Sequence, residues 1–259
     1  MIDSHCHLDF KEFNKNREEV IRNALAAGVR TMINIGADLP TSINSVRLAE
    51  KYDCIFAAVG VHPHDAKTFN DGVENELLRL IENKKVKAIG EIGLDFFRDL
   101  SPRQIQKEVF RRQLELAVSK RLPVVIHARE AYQETLEIVR EYSQKLVGGV
   151  FHCFQGDAKK AFKVIDLGFS VSVGGKITYP RDEMAAMAAE IPLEHILLET
   201  DSPYLTPVPF RGKSSNQPAY VRYVRDKLAE LKNISVEEVE KITDRNTQKL
   251  FRLIEIFEG

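Results

Sequence analysis

Eight short apolar runs, each followed by an amphipathic stretch, constrain the fold of this 259-residue chain more than anything else in it. The runs fall at 1–7, 31–37, 55–61, 86–94, 123–128, 149–154, 169–173 and 195–200. The helix-like stretches lie at 15–27, 40–52, 72–83, 102–120, 130–145, 157–167, 180–190 and 216–231. Start signals precede several of them, among them Pro40 before Thr41 and Ser42, Ser101-Pro102, Asp157 and Pro180. A last segment, 235–257, reads as one or two further helices, opened by the capping pattern Ser235 to Glu238. Strand and helix alternating eight times predict an α/β protein, a (β/α)8 TIM barrel forming a single domain over 1–259. The rival is a doubly wound open sheet, but no Gly-x-Gly-x-x-Gly follows the first run.

Composition narrows the function classes. A hydrophobic fraction of 44% is enough for a large core, so neither disulfide nor metal is needed to hold the fold. Three widely spaced cysteines form no disulfide framework and suit a reducing setting. No apolar run approaches the roughly 18–20 residues of a membrane span, and no basic-then-apolar leader opens the chain. The expectation is a cytoplasmic protein without a membrane or obligate protein partner. A net charge of -1 lacks the basic surplus of a duplex clamp, so any contact with nucleic acid is local and transient.

In a barrel of this kind, chemistry sits at the C-terminal ends of the strands. His5 and His7 close the first run and share a face, because strand side chains alternate. Glu91 lies toward the end of the fourth, His127 closes the fifth, His152 the sixth and Asp201 the eighth. Satisfied polar groups at strand ends explain any one of these, but not six from five strands. Parity turns Cys6 and Cys153 away from the histidines beside them, as packing residues. Imidazoles and carboxylates without a thiolate suit Zn, Mg, Mn, Fe, Co or Ni. Six ligands exceed one tetrahedral ion, so two divalent ions about 3.5–4 Å apart are expected. His5, His7 and Asp201 hold one, His127 and His152 the other, and Glu91 bridges them. Two dications outweigh the two carboxylates, so the site draws anions.

The motifs D-S-H-C-H-L-D, G-V-H-P-H, G-E-I-G-L-D, I-H-A-R, H-C-F and E-T-D-S-P-Y resemble those of the TatD-like metal-dependent deoxyribonucleases of the amidohydrolase superfamily. The resemblance runs in order from residue 2 to Arg245-Asn246. It implies a TIM barrel, two divalent metals and 3′→5′ trimming of single-stranded or frayed DNA ends. It maps the metal ligands onto the same six residues, with Glu91 where many amidohydrolases carry a carboxylated lysine.

Substrate-side candidates follow. His62 is expected to donate to a phosphate or leaving-group oxygen, and the resemblance favours that role. His64 and Arg129 are expected to bind substrate, while His195, at the start of its strand, is structural. Phe97, Phe154, Tyr204 and Phe210 lie on the same face and offer rings on which bases could stack, although packing explains any single one. Glu199, inward with Asp201, is expected to brace a histidine of the first strand. Asp201 doubles as ligand and proton acceptor. The alternative keeps the site and changes the bond, to an amide or ester in a deacylase.

Overall fold

A computed structural model describes residues 1–253 of the chain. Eight parallel strands follow one another in a single sheet in the order β1 to β8. They are β1 Ile2–Cys6, β2 Thr31–Ile35, β3 Ile55–Val59, β4 Val86–Asp95, β5 Val124–Arg129, β6 Gly149–Phe151, β7 Ser170–Val173 and β8 Ile196–Leu198. After each comes a helix: α1 Arg17–Ala26, α2 Leu39–Lys51, α3 Asp71–Ile81, α4 Arg103–Lys120, α5 Tyr132–Tyr142, α6 Ala158–Ile165, α7 Glu183–Glu190 and α8 Val221–Lys232. The helix α9, Val236–Phe251, follows α8. This is the expected (β/α)8 barrel.

All positions of β1, β2 and β3 are buried, as for parallel strands covered on both faces. Side chains cap several of the helices. Asp38 accepts from Thr41 N at 2.8 Å, with Pro40 in the first turn of α2. Asn70 caps α3, Asp157 caps α6 and Ser235 caps α9. Of the expected final segment, α9 forms Val236–Phe251, and residues 254–257 lie outside the described residues.

Six strands are shorter than expected, and at β1, β6 and β8 this bears on the candidate site. His7 and His152 each lie one residue past the end of their strand, and Asp201 lies beyond β8 in an irregular segment. Loop partners take the backbone at these points. Asp201 N donates to His5 O at 2.9 Å, and His7 N donates to Ser202 O at 2.9 Å. Cys153 N turns to Glu199 Oε1 at 2.7 Å, with its φ in the left-handed region at 42°.

The chain divides into two compact units. The first comprises Met1–Asn34, Cys153–Asp166 and the described residues from Ser170 onward. In it β1 pairs with β2, β7 pairs with β8, and Cys6 bridges to Ser202. The second comprises Ile35–His152 and Leu167–Phe169, and holds β3 through β6. Its α4 turns two buried glutamines inward. Gln113 donates to Val61 O at 2.9 Å and accepts from Val61 N at 2.7 Å. Gln106, seven residues earlier, donates to Asp95 O at 3.2 Å and accepts from Asp95 N at 2.9 Å. Each side-chain amide thus bonds a backbone N–H and C=O as a neighbouring strand would.

Candidate metal centre

In the first unit, His5 and His7 bring their Nε2 atoms to 3.1 Å. Asp201 Oδ1 lies 3.7 Å from His5 Nε2 and 3.4 Å from His7 Nε2. Both rings are buried, and Phe10 stacks on His7 with centroids 4.5 Å apart. Beneath them the buried Asp3 ties β1 to the residue before Asp201. It accepts from Thr200 N at 2.9 Å and from Thr200 Oγ1 at 2.6 Å. Burial pushes the Asp3 carboxyl up to about 8 against the bonds from Thr200 that favour its charge.

In the second unit, Glu91 Oε1 is the point of convergence. His152 Nε2 lies 2.7 Å from it, His127 Nδ1 2.8 Å and His62 Nε2 3.5 Å. His62, Glu91 and His127 offer ligand atoms within 4.8 Å of one another. Burial pushes the Glu91 carboxyl up, but the charges of His152 and His62 and the bonds from His127 and His152 hold it well below the carboxylate range. For His127, burial opposes the charge, yet the bonds to Asp95 and Glu91 raise its pKa. Imidazole nitrogens and carboxylate oxygens meet at one point in each unit with no thiolate among them. Such a donor set fits a divalent first-row ion, whose charge replaces the protons that otherwise hold these atoms together.

The rings are oriented by what lies behind them. His127 Nε2 is 3.0 Å from Asp95 Oδ2, so Nδ1 is the nitrogen left for an ion beside Glu91. The same Asp95 oxygen meets His64 Nε2 at 2.9 Å. Asp95 Oδ1 accepts from Phe97 N at 3.0 Å and Arg98 N at 2.7 Å. Burial raises the Asp95 carboxyl, but the bonds from His127, His64 and Arg98 N overcome it and keep it ionised. For His62, Nδ1 accepts from His64 N at 3.1 Å. The proton of a neutral ring therefore sits on Nε2, pointing toward Glu91. Burial, the largest influence, lowers the His62 pKa to about 4, so the ring is neutral at pH 7. A ring with its proton on Nε2 has no lone pair to give an ion there. His62 Nε2 is thus a hydrogen-bond donor beside the candidate ligands.

The expected residues divide as follows. The first unit assembles His5, His7 and Asp201, and the second assembles Glu91, His127 and His152 around one oxygen. His62 joins the second cluster directly, and His64 joins it through Asp95. Arg129 stacks its guanidinium on Phe97, 4.0 Å from the ring centroid. Glu199 is fully buried and accepts from Cys153 N at 2.7 Å and Ser172 Oγ at 2.6 Å, fixing the residue after His152. Cys6 packs in the core with Sγ donating to Ile33 O. His195 lies in a 3-10 turn ahead of β8.

Sequence reasoning missed Asp95, although it ends the quoted G-E-I-G-L-D run. Strand parity was the available signal: residues 91, 93 and 95 share one face of β4. Gly93 is needed between them. Its φ is +140°, and a Cβ there would collide with the carbonyl oxygen of His127, its partner in register.

Residues 2–252 match the family model described as TatD related DNase. The metal-dependent hydrolase YabD of Bacillus subtilis is 41% identical over 254 residues, covering 98% of this chain and 99% of that protein. The 3′-5′ ssDNA/RNA exonuclease TatD of Klebsiella pneumoniae is 34% identical, covering 97% of each. Among solved structures, the TatD homolog YJJV of Escherichia coli K12 superposes with a TM-score of 0.91 at 33% identity, covering 97% of this chain and 98% of that one.

Proposed function

Because the chain belongs to the TatD-related DNase family, metal-dependent hydrolases that act on ester bonds, we propose that it trims single-stranded DNA ends in the 3′→5′ direction, using two divalent ions. The observation that carries this reading is the meeting of three imidazoles on Glu91 Oε1. Its supports are the His5–His7–Asp201 group and the exonuclease name borne by a relative.

His5, His7 and Asp201 take one ion. His127, through Nδ1, His152, through Nε2, and Glu91 would hold the other. When bound, the ions polarise the phosphoryl oxygens, lower the pKa of water and offset the charge of the transition state. The chain's own groups do the rest. Asp201 accepts the proton of the attacking water. His62 Nε2–H donates to a phosphate oxygen or the departing 3′-oxygen as charge develops there. His64, braced by Asp95, and Arg129 hold flanking phosphates, and Glu199 fixes the backbone beside His152.

Metal-loaded protein is expected to release mononucleotides from a single-stranded oligonucleotide. A chelator should stop the release, and Asp201→Asn should lower it about a hundredfold or more. Asn tolerates the left-handed φ of +55° at that position, so the substitution tests charge rather than backbone. Labels on the 5′ and 3′ ends give the polarity. Absence of release, or equal release by Asp201→Asn, defeats the proposal. Turnover of an acyl-ester panel in its place assigns the same residues to a deacylase.

A further inference from the structure

We propose that Phe97 and Arg129 together form a subsite for one unpaired nucleotide, the ring stacking on its base and the guanidinium gripping its phosphate. This rests on the nuclease reading and specifies how the strand is held. Phe97 is 52% exposed, so much of its ring is open to solvent. It is nonetheless firmly placed, because Phe97 N donates to Asp95 Oδ1 and Phe96 N donates to Arg129 O at 2.9 Å. Arg129, the last residue of β5, stands in register with Asp95.

The guanidinium carbon lies over the ring, 4.0 Å from its centroid. Among the described residues no carboxylate pairs with Arg129. Its charge is thus held in place by an aromatic face while its N–H donors remain for an anion, the arrangement suited to a phosphate. The exposed part of the ring offers a π surface that any base can use, but only a base that has left its partner. Asp95 couples the subsite to the chemistry. One of its oxygens sets the turn that presents Phe97, and the other receives His127 and His64.

The test compares two phosphorothioate-linked oligonucleotides of equal length, one with bases and one abasic, binding to metal-loaded full-length protein by fluorescence anisotropy. Phe97→Ala should weaken binding of the base-bearing strand about tenfold and that of the abasic strand far less. Phe97→Tyr should restore it. Arg129→Gln should weaken both strands alike and reduce the salt dependence of log K by about one. Equal losses on both strands for Phe97→Ala, or no loss on either, overturn the subsite. Nucleotide release from ordinary DNA is scored separately. Wild-type protein that binds in a base-dependent way without cutting keeps the subsite and drops the nuclease. Protein that cuts while Phe97→Ala changes nothing does the reverse, and a strand neither bound nor cut removes both.

Discussion

The backbone N–H of His64 donates to Nδ1 of His62 at 3.1 Å, and so decides which nitrogen of that ring carries its proton. The remaining nitrogen, Nε2, faces Glu91 Oε1 at 3.5 Å as a donor. His62 is close enough to Glu91 and His127 to pass for a metal ligand, yet its hydrogen bonding leaves Nε2 a donor, as the proposed role toward substrate requires.

His62→Ala is therefore expected to lower oligonucleotide turnover about 10²-fold, the scale of losing one donor to a developing charge, while bound metal stays at the wild-type level. His127→Ala should lose both metal and turnover. Elemental analysis after desalting separates them, and a His62→Ala protein as metal-poor as His127→Ala makes His62 a ligand.

Asp95→Asn removes the carboxylate behind His127 and keeps the volume. Metal affinity should fall about 10- to 100-fold, as for other partners of ligand histidines. Competition against a chromophoric chelator measures it, with far-UV circular dichroism confirming the fold. Unchanged affinity would leave His127 oriented by something other than Asp95.

Gly93→Ala and Gly168→Ala form a matched pair. Both glycines have positive φ, +140° and +83°, but Gly168 faces open space whereas a Cβ at Gly93 meets the carbonyl of His127. Gly168→Ala should show only backbone strain, about 1–3 kcal/mol. Gly93→Ala should lose more and also lose much of the thermal stabilisation that added metal gives. Equal melting behaviour with and without metal in the two variants contradicts the placement of Gly93 beside His127.

Away from the centre, Glu240 meets Arg225 Nη1 at 2.8 Å and the Met1 amine at 2.9 Å. Burial raises its pKa, but these two cations outweigh burial and lower it below 4.5. A depressed folded value means stabilisation that is complete above the unfolded value and fades as pH falls through the folded one. Glu240→Gln should therefore destabilise the protein at pH 7 and close the gap to wild type in acid. Urea melts across pH 3–7 test this, and a gap that widens in acid reverses the sign.

The eight-strand alternation was legible because strands buried on both faces read as continuous apolar runs, and that pattern survives any uncertainty at their ends. The histidines were legible because they stand at those ends. The exact stops at Cys6, Phe151 and Leu198 were not, because they depend on Asp201, Ser202 and Glu199 reaching back from distant sequence. The same holds for Asp95, which looks like any carboxylate ending a strand until His127 and His64 are seen on one of its oxygens. The tautomer of His62 needed a backbone N–H two residues away, a matter of loop conformation that no residue pattern encodes.

Gln106 and Gln113 extend the centre to the outside of the molecule. Their amides grip the backbone of Asp95 and Val61, the latter next to His62, and they stand two turns apart on α4. A tilt of that one helix moves the support of His127 and the backbone leading to His62 in the same stroke. Under the proposed function, substitutions on its solvent-facing side would reach the reaction rate through these bonds without altering a candidate ligand.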